Sequence, residues 1–76
     1  MNWETIKQIY YCVLIRKHKI EYLGGDKYRL IAYYKNGRKY WSGEYNGLVP
    51  HGRCIFYLEN GKKDLIDEYE NGTLIN

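Results

Sequence analysis

The sequence lacks an apolar run long enough to cross a bilayer, which takes about 18 to 20 residues in a helix. Its longest apolar stretch is IYYCVLI, whose length is typical of a buried core element. The N-terminus also lacks the basic start and the small-residue cleavage site of a signal peptide. From these absences we expect a cytoplasmic protein.

Cysteine and histidine are scarce, with two residues of each. One potential bridge between Cys12 and Cys54, in a chain without a secretory signal, favours two reduced and packed thiols over a disulfide. Neither His18 nor His51 has a metal-ligand spacing to a cysteine, which argues against a zinc site. His51 and Cys54 are three residues apart at a strand start, so their side chains point to opposite faces and do not form a nucleophile and its base. We interpret His51 as a turn residue.

The sequence also has no glycine-rich phosphate loop and no paired-carboxylate signature. The acids Asp64, Asp67 and Glu68 are typical of a solvated face or of cross-strand pairs. We therefore expect neither an enzyme nor a bound cofactor or small-molecule substrate.

What the chain does have is unevenly divided charge. Its 76 residues are enough for one small core, so we expect a single domain over 1–76. Residues 1–43 hold nine Lys/Arg and three Asp/Glu, a net charge of +6, whereas residues 44–76 hold three and six, a net charge of −3. Such polarity either steers charged partners or pairs neighbouring strands, and strand pairing is the more ordinary explanation.

A repeat of 24 residues joins two hairpin-like stretches. YYKNGRKYWSGEY overlays YLENGKKDLIDEY with Asn36-Gly37 on Asn60-Gly61. Asn-Gly is the preferred pair for a two-residue type I′ loop, in which both residues take positive φ. The sequence therefore predicts two hairpins with two-residue loops.

Those loops fix a register. In the first hairpin Lys35 faces Arg38, Tyr33 faces Tyr40, Ile31 faces Ser42 and Arg29 faces Glu44, while Ala32 faces Trp41 on the other side of the sheet. The second hairpin places Arg53 opposite Glu68 and Ile55 opposite Ile66. Two Arg/Glu pairs at matching positions indicate a register device. The small residues Ala32 and Gly43 leave room for the Trp41 indole to lie across its face.

Other turn signals divide the chain into strands near 19–23, 28–35, 38–45, 53–58 and 63–69. Residues 1–18 instead place apolar side chains at helical spacing, with Asn2 as N-cap. These side chains are Trp3, Ile6, Tyr10, Val13 and Leu14. An extra strand over YYCVLI stays an alternative. The predicted fold is α+β, mainly β: an antiparallel β-meander of about five strands with an N-terminal helix packed on one face.

The stretch YWSGEYNGLVPHGRCIFYLENG, residues 40–61, resembles the MORN repeat. The family pattern is Tyr-x-Gly-Glu-aromatic, then Asn-Gly, His-Gly, an aromatic strand and a turn with Gly. It is matched by Gly43, Glu44, Tyr45, Asn46, Gly47, His51, Gly52, Phe56, Tyr57 and Gly61. The turns are also similar to those of bacterial MORN-like proteins of the antitoxin type.

The resemblance is partial over 28–43 and 62–72 and absent over 1–18, and Cys54 stands where the family has a second Gly. It implies MORN-like β-hairpin repeats over 19–76 that serve as a platform for protein or lipid contact. Because fewer than three units are present, the core must be closed by the N-terminal segment or by dimerisation.

Aromatic rings and arginine dominate protein interfaces, so we expect a non-enzymatic module that binds a protein partner through an aromatic and basic sheet face. Its predicted residues are Tyr33, Lys35, Arg38, Lys39, Tyr40, Trp41 and Tyr57. An alternative is a small inhibitor encoded by a phage or mobile element that blocks a host defence or nucleic-acid-processing enzyme. Further alternatives are single-stranded nucleic acid, which the acidic half disfavours, and anionic lipid. Whichever sheet face the helix leaves uncovered is the one expected to carry the site.

Overall fold

The computed structural model describes residues 2–75 and shows one open antiparallel sheet with a single N-terminal helix. Helix α1 spans Trp3–Tyr10 and continues as a π-helical segment, Tyr11–Ile15. Six strands then follow with the same order in the sheet as in the chain: β1 (Lys19–Gly24), β2 (Lys27–Tyr33), β3 (Lys39–Asn46), β4 (Val49–Tyr57), β5 (Lys63–Glu70) and β6 (Thr73–Leu74).

The mainly β meander agrees with the sequence prediction, and the two-residue β6 is the strand that was not predicted. Met1 and Asn76, the ends of the predicted domain, lie outside the described residues. Neither α1 nor the π-helical segment is long and apolar enough to span a membrane.

The helix begins where the sequence predicts. The Thr5 backbone N–H donates to the Asn2 side-chain oxygen at 2.8 Å, which satisfies one of the donors that a helix start leaves unpaired. The alternative strand over YYCVLI is wrong, because those residues continue the helix. The helical segment ends at Ile15, and Lys17, whose φ of 61° is left-handed, turns the chain towards β1.

One face of the helix packs on the sheet, and small side chains make the closest approach. Thr5 and Cys12 are buried there, and Ile9 packs beside Cys12 against the core. Their partners are Tyr28 and Leu30 of β2, both fully buried. Small residues on the helix leave room for these larger side chains of the sheet, and burial of the larger ones supplies most of the hydrophobic free energy.

The predicted apolar stripe of the helix points elsewhere. Trp3 is 66% exposed and Tyr10 is 61% exposed, and Leu14 and Ile15 are exposed as well. At about 100° per residue, the stripe lies more than a third of a turn from the Thr5 and Cys12 face. The helix therefore covers the sheet, but most of its large apolar side chains remain in solvent.

The register of both hairpins is confirmed in the strand bodies. Arg29 lies opposite Glu44 and Ala32 opposite Trp41, and in the second hairpin Arg53 lies opposite Glu68. Trp41 lies across Gly43 as expected: a Cβ added to Gly43 would come within 2.5 Å of the Trp41 ring. The indole thus fills the space that the missing side chain leaves.

The turn prediction is wrong in its details. The Gly37 N–H donates to the Tyr34 carbonyl and the Tyr34 N–H to the Arg38 carbonyl, so the loop has three residues, ending in Gly37 at φ 87°. Among residues 2–75 the positive-φ positions other than glycine are Lys17 and Asn71, so Asn36 does not take the type I′ conformation. This is a type I turn followed by a left-handed glycine, which also favours Asn-Gly.

The longer loop shifts the pairs next to it. Tyr33 lies opposite Lys39 instead of Tyr40, and Arg38 meets Tyr34 instead of Lys35. Tyr40 becomes the extra residue of a bulge, which restores the predicted register from Trp41 onwards. The second hairpin repeats this arrangement, with the shift between Phe56 and Tyr57.

Candidate functional site

The structure divides the seven predicted site residues between two faces and one turn. Trp41 lies on the helix-covered face, next to the core, and its cross-strand neighbour is Ala32. The bulge at Tyr40 brings that ring to the same face, where it lines a cavity together with Trp41. Tyr33 and Lys39 face each other on the opposite side. The remaining residues lie in the first turn or on the opposite side: Lys35, Arg38 and Tyr57.

Trp41 is held from several directions. Its indole N–H donates to the Cys54 sulfur at 3.0 Å. The ring lies 5.7 Å from the His18 ring and 6.5 Å from that of Tyr45, centroid to centroid. A ring positioned by Gly43 beneath it and by these neighbours loses little conformational entropy when a partner covers it, which is a property of interface anchors.

A groove runs beside Trp41, where the helix ends above the sheet. We define the Trp41 groove as two adjoining hollows of about 510 and 250 Å³ that share Arg16, His18, Trp41 and Tyr45. The helix supplies one wall, including Lys7 and Tyr11, and the sheet supplies the floor. Towards the first turn the floor continues through Tyr40 and Phe56.

The charge at the mouth of the groove is basic. The Arg16 guanidinium lies 5.6 Å from the Tyr11 ring centroid, within range of a cation–π contact. Lys7 pairs with Glu4 at 3.2 Å, and both side chains are more than half exposed, so that pair contributes little. An acidic side chain that enters the groove would therefore meet Arg16 beside aromatic rings.

Burial shifts the pKa of a histidine and of a cysteine beside Trp41 in the direction that favours the neutral form. Burial lowers the pKa of His18, and the nearby Arg16 lowers it further, so the imidazole is uncharged. Its Nδ1 atom is buried and has no hydrogen-bond partner among residues 2–75. Burial raises the pKa of the Cys54 thiol, against a smaller opposing effect of the Trp41 hydrogen bond. Cys54 and Cys12 are both free thiols, as the sequence predicts.

The opposite face carries a row of alternating charge across five strands. Glu44 is its centre: one carboxylate oxygen accepts from Arg29 at 2.8 Å and the other from the Arg53 backbone N–H at 2.7 Å. Arg29 also reaches Glu21 at 3.3 Å, and Arg53 reaches Glu68 at 3.6 Å. These contacts join neighbouring strands to one another, which explains the row as a register device without a ligand.

His51 has a structural task as well. It lies in β4, and its Nδ1 accepts the backbone N–H of Asn71 at 3.1 Å. Asn71 has a φ of 49° in the turn between β5 and β6. The prediction that His51 is a turn residue is therefore wrong: it lies in a strand, and its side chain fixes the neighbouring turn between β5 and β6.

Most residues of the Trp41 groove were not among those predicted from the sequence. Arg16, His18 and Tyr11 lie in the segment whose contact face was assigned incorrectly, so their approach to Trp41 could not be derived. Phe56 could have been found, because the predicted register of the second hairpin places it on the same face as Cys54, and the structure pairs it with Trp41.

Residues 2–75 contain no group of three or more His, Cys, Asp or Glu side chains placed to hold a metal ion. Comparison of the chain with known protein families, curated proteins and solved structures gives no match. The resemblance to MORN repeats therefore stays a hypothesis that rests on the motifs alone.

Proposed function

We propose that the chain is a non-enzymatic protein-interaction module and that the partner binds in the Trp41 groove. This groove lies on the helix-covered face of the sheet, not on the uncovered face where the sequence led us to expect the site. The observation that carries the proposal is the end of the helix at Ile15, which leaves Trp41 half-buried in an open groove instead of sealing it into the core. Preorganised aromatic rings with an arginine beside them are the common composition of binding hot spots.

The groove also indicates what it would bind. Arg16 lies above aromatic walls, and beyond Phe56 the sheet surface continues to Leu65, which lies opposite Phe56 on β5 and is half exposed. This surface, a cation followed by aromatic and apolar side chains, is complementary to a partner segment in which an acidic side chain lies next to apolar or aromatic ones. The contact is expected to depend on salt less than nucleic-acid binding does, because it involves few charges.

The chain supplies a matched pair of variants for the test. Tyr40 is 46% exposed in the groove and Tyr33 is 42% exposed on the opposite face of the same hairpin. Tyr40→Ala removes a groove ring and Tyr33→Ala removes an equivalent ring outside it. Arg16→Glu and Arg38→Glu form a second pair, one cation in the groove and one in the turn.

In affinity capture from lysate of the native host, followed by titration with the purified captured protein, we expect Tyr40→Ala and Arg16→Glu to weaken binding by about tenfold or more. Tyr33→Ala and Arg38→Glu should bind within about twofold of the natural chain. If Tyr33→Ala and Arg38→Glu weaken binding instead, the site lies on the opposite face of the sheet and its assignment to the groove is wrong.

A salt titration with single-stranded oligonucleotide tests the nucleic-acid alternative directly. Submicromolar affinity that falls steeply with salt would contradict the protein-partner proposal, since neutralised phosphates release counterions.

A further inference from the structure

The outward stripe of the helix forms an apolar depression that the groove does not use. It has a volume of about 260 Å³ and its lining is entirely apolar: Ile6, Ile9, Tyr10, Val13, Leu14 and Ile20. Trp3 and Ile15 extend the exposed apolar surface at the two ends of the helix. In a chain this short, so much exposed apolar surface favours association.

The depression is continuous with an open strand edge. Ile20, which closes its floor, belongs to β1, and β1 is the outermost strand with β2 as its sheet neighbour. An antiparallel strand directs alternate backbone groups to its two sides, so an edge strand offers half of them for pairing with another chain. The side chains of this edge are accessible, with Tyr22 64% exposed.

The charge order on β1 is self-complementary. Lys19 and Glu21 flank Ile20 and lie on the face opposite the helix, since Ile20 points to the helix side. If two β1 strands pair antiparallel about a two-fold axis through Ile20, Lys19 lies opposite the partner subunit's Glu21, and Glu21 lies opposite the partner subunit's Lys19.

Neighbouring registers do not have this property. A shift of one residue places side chains of one face opposite those of the other. A shift of two residues places Lys19 opposite the partner subunit's Lys19, or Glu21 opposite the partner subunit's Glu21, and like charges directly opposite each other are unfavourable. The axis through Ile20 is therefore the register that the side chains select.

We infer that a second copy of this chain occupies the stripe, in a two-fold dimer with β1 paired to β1 about Ile20 and the apolar stripes of the two helices in contact above that seam. Both helices then lie on the same face of one continuous twelve-stranded sheet. A strand edge alone buries less than the roughly 1,000 Å² that a stable interface needs, and the helix stripes supply the remainder. The Trp41 groove, on the other flank of the helix, stays open.

The experiment is sedimentation equilibrium with charge-swapped variants. The natural chain should have twice its 9.2 kDa monomer mass at about 100 µM. Lys19→Glu places two acids in each cross-strand pair and Glu21→Lys places two cations, so each variant alone should dimerise about tenfold more weakly or worse.

Mixing the two variants is the decisive step. In the mixed dimer, positions 19 and 21 are both acidic in the Lys19→Glu chain and both basic in the Glu21→Lys chain. Each cross-strand pair therefore joins opposite charges. The mixture should recover a dimer of natural affinity, and a mere folding defect in either variant would not be rescued in this way. Leu14→Glu, on the helix stripe, should give a monomer with an unchanged circular dichroism spectrum.

A natural chain that stays monomeric at about 100 µM would overturn the inference. So would a dimer that neither charge variant weakens, or a mixture that stays monomeric. The inference is independent of the proposed partner site, since Arg16→Glu and Tyr40→Ala should leave the dimer intact.

Discussion

The two hairpins follow the same sequence pattern but occupy different environments. The first hairpin, β2–β3, is flanked by the six-residue β1 and by β4, whereas the second, β4–β5, is flanked by β3 and by the two-residue β6. Turn geometry, bulge position and Arg/Glu pairs are repeated. Burial is not: Ile31 is 3% exposed, whereas its counterpart Ile55 is only half-buried. Local pattern therefore determines hairpin geometry, and position in the sheet determines how much each residue stabilises the fold.

The charge pairs show the same contrast. The Arg29 and Glu44 side chains are 2.8 Å apart and 34% and 22% exposed, whereas those of Arg53 and Glu68 are 3.6 Å apart and 61% and 47% exposed. A partly buried carboxylate with two hydrogen-bond donors is costly to remove, but an exposed pair contributes little. Equal sequence motifs are thus expected to have unequal energetic weight.

The largest contrast is expected between the matched isoleucines. Ile31→Ala should lower the free energy of unfolding by about 2 to 5 kcal/mol, because it leaves a cavity among packed atoms, and Ile55→Ala by about half of that or less. Urea denaturation followed by circular dichroism measures both. Should Ile31→Ala fail to fold, the Ile→Val pair gives the same ranking at about 0.5 to 1.5 kcal/mol for Ile31. Equal losses at the two positions would contradict the comparison.

A smaller contrast is expected between the matched glutamates. Glu44→Gln places an amide group where two donors, from Arg29 and the Arg53 backbone, need acceptors. It should therefore lower the free energy of unfolding by about 1.5 to 3 kcal/mol. Glu68→Gln should cost about 0.5 kcal/mol or less, since its pair with Arg53 is solvated. The same denaturation assay serves, and the order of the two losses is the result that matters. A larger loss of stability for Glu68→Gln would contradict the comparison, because the exposed pair would then stabilise the fold more than the partly buried one.

The smallest contrast is expected in the turns. Asn36 and Asn60 each accept the backbone N–H two residues ahead at 2.9 Å, so Asn→Ala should cost about 1 kcal/mol at either position. The Asn36 amide also donates to the Glu59 carbonyl at 3.2 Å in the neighbouring turn. Asn36→Ala should therefore lower the free energy of unfolding by about 0.5 kcal/mol more than Asn60→Ala does. Thermal unfolding of the two variants in parallel resolves this difference, and a greater loss for Asn60→Ala would argue that the turns do not support each other.

The sequence predicted the sheet more fully than the Trp41 groove, because strand register is a local property. Asn-Gly turns, alternation and the Arg/Glu pairs lie within a few residues of one another, and they place Trp41 opposite Ala32 without knowledge of the rest of the chain. The loop length was missed because two different turns favour the same dipeptide, and the resulting bulge moved Tyr40 to the side of Trp41.

Taken by itself, the sequence determined a β-meander, an N-terminal helix and a 24-residue repeat, because these depend on the spacing of neighbouring residues. The tertiary structure alone decided which helix face packs on the sheet. Thr5 and Cys12 go inward because small side chains fit over Tyr28 and Leu30, although larger apolar residues were available on the same helix. That choice leaves the stripe from Trp3 to Leu14 in solvent and brings Arg16 over Trp41, and no pattern of sequence spacing encodes either result.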